Sequence, residues 1–359
     1  MNLAQCRDPK TEIGLVFSGG GLKGGYEIGV WKALLEKGVA GRITAVSGTS
    51  VGALNAMLFA LGDYPYAENL WLGVTRDDLM YLPAKGGEDE KPSAVDDVPR
   101  LTLEPAEPAG VTLRKAEVLK PRLVLGSEPE EDGGQTPEEA EEKSPGFWEK
   151  LDAKRLLGMV AAGRPLPEIL QSVVGENLTE ITEGGVFSQQ KLESMIADAA
   201  TPEKLEALTM GLYVTCTKTK KLSYLLDRDD GTETVTFDLR QRPGDYRDIL
   251  LASAAIPVVY PPVTIDGEKY VDGGLNAAGN TPVSPLYERG YRKIVVVYLQ
   301  KKPEARIRKR DFPFAEFAEI IPGEELYTGP LAAMYMPDKG IASEIEAGYW
   351  DALGTCTFG

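Results

Sequence analysis

Ile43-Thr44-Ala45-Val46-Ser47-Gly48-Thr49-Ser50-Val51-Gly52-Ala53-Leu54-Asn55-Ala56-Met57-Leu58-Phe59-Ala60-Leu61 decides the fold. An apolar run, Ile43 to Val46, continues to Ser47 as a buried strand and meets the G-x-S-x-G sequence Gly48 to Gly52. Ala53 to Leu61 then reads as an apolar helix. Upstream the same order occurs: Glu12 to Ser18 reads as a strand, Gly19-Gly20-Gly21 as a tight turn, and Lys23 to Lys37 as a helix through Ile28, Trp31, Leu34 and Leu35. Two consecutive strand-turn-helix units point to a mostly parallel sheet covered by helices on both faces.

A serine on such a strand-to-helix turn stands exposed above the sheet edge, and Gly48 and Gly52 relieve the crowding around it. The amide of Val51 then lies at a helix amino terminus, where partial positive charge favours an oxyanion. An alcohol is a weak nucleophile at neutral pH, so Ser50 needs a base. The 359-residue chain contains no histidine. A Ser-His-Asp triad is therefore excluded, and the base must be sought among carboxylates and lysines.

Gly19 to Gly24, with Lys23 inside it, also satisfies G-x-G-x-x-G between a strand and a helix. A dinucleotide site would need an acidic residue at the end of the second strand, which instead ends in Ser47-Gly48-Thr49, and Glu36 and Asp63 are badly placed. A nucleoside-triphosphate loop fails because Lys23 is followed by Gly24 rather than Ser or Thr. The better reading is a nest of backbone amides for an oxyanion, from Gly19, Gly20, Gly21 and Leu22, set beside the serine by the sheet. Lys23 reads as a solvated or ion-paired residue.

Asp272, in Tyr270-Val271-Asp272-Gly273-Gly274, is the strongest candidate base, a carboxylate at a strand end with no side-chain bulk after it. An unperturbed aspartate titrates near 3.9, so the role requires burial to raise it and a stabilised transition state. An Asp-Gly-Gly run serves equally well as a hairpin turn.

Taken together, Gly19 to Gly24, the Gly48 to Gly52 turn and Asp272-Gly273-Gly274 resemble the patatin-like phospholipase family. They match, in order, its glycine-rich oxyanion motif, its G-x-S-x-G and its D-G-A/G. Ala252 to Pro257, Tyr260-Pro261-Pro262, Asn280-Thr281-Pro282-Val283 and Gly348-Tyr349 add to the likeness. The family often has Arg at the position of Lys23. The resemblance implies a three-layer α/β/α sandwich with a mostly parallel central sheet and a Ser-Asp dyad, Ser50 as nucleophile and Asp272 as proton acceptor. It also implies hydrolysis of fatty acyl esters of lipids without metal or organic cofactor. A catalytically silent lipid-binding or scaffold protein with the same fold is the alternative.

Composition narrows the partners. The net charge of −16 and a pI near 4.7 argue against a nucleic-acid surface and against electrostatic docking on anionic lipid. No stretch approaches the roughly 18 apolar residues of a spanning helix, so membrane contact is expected to be peripheral. Met1 to Glu12 has no apolar core of a secretory signal. Three widely spaced cysteines, Cys6, Cys216 and Cys356, suit a reducing cytoplasm, and without histidine a transition-metal site is not expected.

A hydrolase domain is expected over 12–300, interrupted at 86–143, with 301–359 as an extension packed on it. The interruption carries 16 acidic and 7 basic residues with prolines throughout, which marks a solvated insertion. Within it Val111 to Leu125 reads as a hairpin and Glu128 to Lys143 as a linker. Helical segments are expected to about Val174 and over Ser188 to Ala199. Strands are expected at Met210 to Thr215, Leu222 to Leu226, Thr234 to Asp238 and Lys293 to Leu299. Tyr246 to Ala255 reads as a helix, and Val263 to Val271 as a strand pair turning at Asp266-Gly267.

Overall fold

β1 (Ile13–Phe17) is buried at every position, as a strand covered on both faces must be. In the computed structural model residues 12–75, 78, 188–219, 232–257, 259–275, 277–303, 306–326 and 340–357 are described. The expected insertion at 86–143, the helices at 147–174, the strand at 222–226 and the amino-terminal residues through 11 lie outside them.

β1 pairs in parallel with β2 (Ile43–Thr49), which pairs in parallel with β3 (Gly211–Thr219). On its other side β1 pairs in parallel with β7 (Lys293–Val297), and β7 with β8 (Glu316–Ile320). Antiparallel pairs complete one wing: β3 with β4 (Thr232–Asp238) and with β6 (Glu268–Asp272), and β6 with β5 (Val263–Ile265). The hairpin between β5 and β6 turns on Asp266 and Gly267, both at positive φ, the geometry an Asp-Gly pair adopts at low cost. Asp272-Gly273-Gly274 is therefore a strand end and not a hairpin; Asp272 closes β6 and a single 3-10 turn follows.

Alternate residues of the central strands feed two cores. Leu15, Phe17, Val295 and Val297 face one side, where α1 (Gly24–Glu36), α2 (Val51–Leu61), α3 (Tyr64–Gly73), α4 (Gln190–Ala199) and α5 (Tyr246–Ser253) contribute. Val16, Ala45, Ile294 and Val296 face the other, against Val283 and Leu286 around the short helix Ser284–Glu288, with Phe317. The sheet is thus mixed, mostly parallel at its centre and flanked by helices, as expected. α2 stops at Gly62, and Asp63 starts α3 by accepting the amide of Tyr66 at 3.0 Å. Such a cap contributes roughly 1 kcal/mol.

The described part of the carboxyl-terminal segment contains a strand and a helix. β8 extends the sheet, and α6 (Ile341–Thr357) lies along α1 so closely that a side chain at Gly29 would meet the backbone of Ile345, and one at Gly348 the backbone of Tyr26.

Candidate active site

The pairing of β3 brings the two candidate catalytic residues together. β4 occupies one edge of β3 from Tyr213 to Thr219, while the other edge is shared. β2 runs along it as far as the Thr49 and Thr215 pair, and β6 arrives antiparallel to end at the Cys216 and Asp272 pair. The residue after β2 and the last residue of β6 therefore meet head-on. Ser50 and Asp272 are 5% and 6% exposed, and the Ser50 hydroxyl lies close enough to the Asp272 carboxyl to pull its pKa down.

Ser50 sits at φ 55°, ψ −130°, a region a non-glycine residue occupies at a cost of roughly 1–3 kcal/mol. The turn is possible only with small neighbours. A side chain at Gly48 would run into the Gly52 carbonyl, and one at Gly52 would lie 2.5 Å from the carbonyl oxygen of Phe17. The Ser50 amide, turned away from both strand and helix, donates to Ser253 Oγ at 2.9 Å. The carbonyl of Ser50 accepts from Ala53 at 2.9 Å and starts α2, leaving the first-turn amide of Val51 without a helical acceptor.

Burial pushes the Asp272 carboxyl up to about 6, against the opposing pull of the nearby Ser50 hydroxyl and of the Gly274 amide, which donates to it at 2.7 Å. A carboxylate in this range is mostly ionised at neutral pH and still basic enough to take up a proton.

The glycine-rich loop divides in two. The Gly19 amide donates to the Asn280 carbonyl at 2.9 Å, so it is not free to bind an oxyanion, contrary to the expectation from its place in the motif. A side chain at Gly19 would also press on the Asn280 side chain and on Ser50 Cβ. Gly21 and Leu22, by contrast, border the same pocket as Ser50 and Val51. Of the two expectations for Lys23, solvated or ion-paired, the first does not hold. It is only 2% exposed, burial lowers its pKa, and Glu325 and Glu344 oppose that. Glu344, on α6, is itself pushed up to about 8 by burial.

Two groups of residues around the site were not singled out for it from sequence. Segment 279–282 is tied across the ends of β1 and β2: Thr49 Oγ1 donates to the Gly279 carbonyl at 2.6 Å, Ser47 Oγ donates to the Pro282 carbonyl at 2.8 Å, and Ser18 Oγ and Thr281 Oγ1 lie 3.1 Å apart. The likeness at Asn280-Thr281-Pro282 was visible in sequence, but not what the segment touches. The second group is Asn55, whose Nδ2 donates to the Gly24 carbonyl at 3.0 Å and to Glu27 Oε2 at 2.8 Å, while its Oδ1 accepts Trp71 Nε1 at 2.8 Å. It locks α1, α2 and α3 together beneath the site. An asparagine within an apolar helix was the available signal.

Ser50 opens onto a pocket continuous with solvent. Leu54 and Leu58 of α2, Trp71 of α3, Ile196 of α4, and Ile256 and Tyr260 after α5 form its walls. Apart from Ser50, Asn55 and the Tyr260 hydroxyl, the lining side chains are apolar. Among the described residues no group of three His, Cys, Asp or Glu is placed to hold a metal ion, and no helix is long and apolar enough to cross a membrane.

No curated protein matches the sequence. Among solved structures the chain is similar to VipD from Legionella pneumophila, at 15% identity and TM-score 0.43, over 97% of this chain and 67% of that one. It is also similar to the type III effector protein ExoU, at 15% identity and TM-score 0.41, over 97% of this chain and 53% of that one. The chain thus spans about two thirds of the first and about half of the second. A family model for patatin-like phospholipase matches residues 15–287, a span that takes in the glycine-rich loop, the Ser50 turn, the Asp272 strand end and the Asn280 segment at once. The chain belongs to the patatin-like phospholipase family.

Proposed function

We propose that the protein is a serine acyl hydrolase that cleaves fatty acyl esters of lipids through an acyl-enzyme, with Ser50 as nucleophile and Asp272 as its base. The observation that carries this reading is the meeting of Ser50, just after β2, with a buried Asp272, at the end of β6, along one edge of β3, with Ser50 at the wall of an apolar pocket.

Asp272 takes the proton of Ser50 Oγ as that oxygen attacks the ester carbonyl. Negative charge passes to the carbonyl oxygen, where the Val51 amide at the head of α2 and the amides of Gly20, Gly21 and Leu22 stabilise it. As the tetrahedral adduct collapses, the C–O bond to the alcohol breaks and that oxygen takes the proton from Asp272. Water then repeats the sequence: Asp272 accepts its proton, hydroxide adds to the acyl carbonyl, and Ser50 Oγ leaves and recovers the proton as the fatty acid departs. The apolar walls fit an acyl chain. Backbone amides read the carbonyl and no headgroup, so specificity for the headgroup should be broad.

Hydrolysis of a medium-chain aryl ester and of dispersed phosphatidylcholine tests the proposal. Ser50→Ala and Asp272→Asn should each abolish turnover in folded protein, and the double variant should lose no more than either, because the two residues act as one unit. Chelator should leave turnover unchanged. Near-normal turnover by folded Asp272→Asn would mean that another base operates.

A further inference from the structure

We propose that Ser253 is a positioning residue for this hydrolysis, holding the strained backbone of Ser50 so that its hydroxyl stays aimed at Asp272; the inference rests on the dyad reading above. Ser253 is the last residue of α5 and fully buried. Its hydroxyl donates to the Thr215 carbonyl at 2.8 Å and accepts the Ser50 amide at 2.9 Å. Both directions are fixed, since a carbonyl can only accept and an amide can only donate. The single hydroxyl hydrogen is thereby committed to β3, and a lone pair is left facing Ser50.

The same short segment reaches the base. Two residues on, the Ala255 carbonyl accepts the amide of Asp272 at 2.9 Å. The end of α5 therefore grips the backbone of both members of the dyad, Ser50 through a side chain and Asp272 through main chain. Only the first grip depends on residue identity. It also acts where it is needed, because Ser50 at φ 55° has no strand or helix partner for its amide and would relax toward an ordinary conformation once released. Relaxation would swing Oγ away from Asp272 and turn the Val51 amide away from the attacked carbonyl.

Ser253→Ala fits the same space and tests the inference. With a medium-chain aryl ester its kcat is expected to fall roughly 10- to 100-fold, as loss of an alignment worth a few RT implies, with KM nearly unchanged because the pocket walls are intact. The rate of covalent labelling by a fluorophosphonate should fall by a similar factor. The acid limb of the pH profile should move up from its wild-type position, because a hydroxyl swung away from Asp272 no longer opposes the rise that burial causes. A Ser253→Thr variant that folds should recover a large part of the loss.

A purely structural role would lower the unfolding temperature of Ser253→Ala and leave kcat and labelling rate per folded molecule at wild-type values. That result, or a folded Ser253→Thr no better than Ala, would overturn the inference. If Ser253→Thr does not fold, the kcat and labelling rate of Ser253→Ala decide alone. Wild-type protein that takes no label at Ser50 would instead overturn the hydrolase reading, and this inference with it.

Discussion

The amide of Gly274 donates to Oδ1 of Asp272 at 2.7 Å, so the chain leaving β6 turns back and grips the last side chain of the strand it has just left. With this bond in place and the Ser50 hydroxyl nearby, burial still dominates and raises the carboxyl to about 6. The ionised form is thus held in the fold at a cost. That cost makes stability and activity separable at this position.

Asp272→Asn should abolish hydrolysis and stabilise the protein at pH 7.5. Between the ordinary 3.8 and the raised value of about 6, the folded protein keeps a proton that the unfolded chain has lost. Wild-type stability therefore falls as pH rises through that window, by up to about 3 kcal/mol. Asparagine does not ionise and can still accept the Gly274 amide. Urea unfolding at pH 7.5 should show the variant more stable by about 1–3 kcal/mol, and the advantage should shrink toward pH 4. A variant less stable than wild type at pH 7.5 would contradict the assignment.

The pH dependence of kcat/KM should show an acid limb near pH 6, since Asp272 must be ionised to accept the Ser50 proton and is protonated below that value. A limb near pH 4 would place the base in a solvated carboxylate elsewhere.

Asn55→Leu should lower stability by roughly 2–4 kcal/mol, because it strips partners from the buried Trp71 indole and the Glu27 carboxyl together. Glu27 is fully buried, and that burial pushes its carboxyl well above the usual carboxylate range. Since Trp71 walls the pocket, KM for long acyl chains should rise more than KM for short ones. Thermal unfolding and a chain-length series read the two effects. Equal KM changes along the series would remove Trp71 from acyl recognition.

The lipid surface offers a different test. A net charge of −16 repels the protein from anionic bilayers until salt above roughly 0.1 M screens it. Turnover should favour phosphatidylcholine, and on phosphatidylglycerol vesicles it should rise with added salt. Fast turnover on anionic vesicles at low salt that declines as salt is added would point instead to a local basic face, for which Lys301, Lys302 and the exposed Arg308 and Arg310 are available.

Local sequence carried much of this architecture. The units β1-α1 and β2-α2 were legible because buried strands, glycine turns and apolar helices are written in consecutive residues. The hairpin at Asp266-Gly267 was legible for the same reason, since an Asp-Gly turn is a local backbone preference. What local sequence cannot carry is which distant groups share an edge or a hydrogen bond. Lys23, expected to be solvated or ion-paired, is buried, with Glu325 and with Glu344 of α6, more than 300 residues later, among the charges that act on it. The Gly19 amide looks free in the motif and is taken by Asn280. Ser253 is visible only as one small residue in Ala252-Ser253-Ala254-Ala255, and its contacts come from the residue after β2 and from β3, separated from it by 203 and 38 residues.

Covalent labelling by a fluorophosphonate tests whether the buried Asp272 activates Ser50, before any natural substrate is chosen. Wild-type protein should gain one adduct, found by mass spectrometry on the peptide that contains Ser50. Ser50→Ala should gain none, and folded Asp272→Asn should label at least 100-fold more slowly, the scale of a lost general base. No adduct on Ser50 in folded wild-type protein, or an adduct formed equally fast in Asp272→Asn, would contradict the dyad.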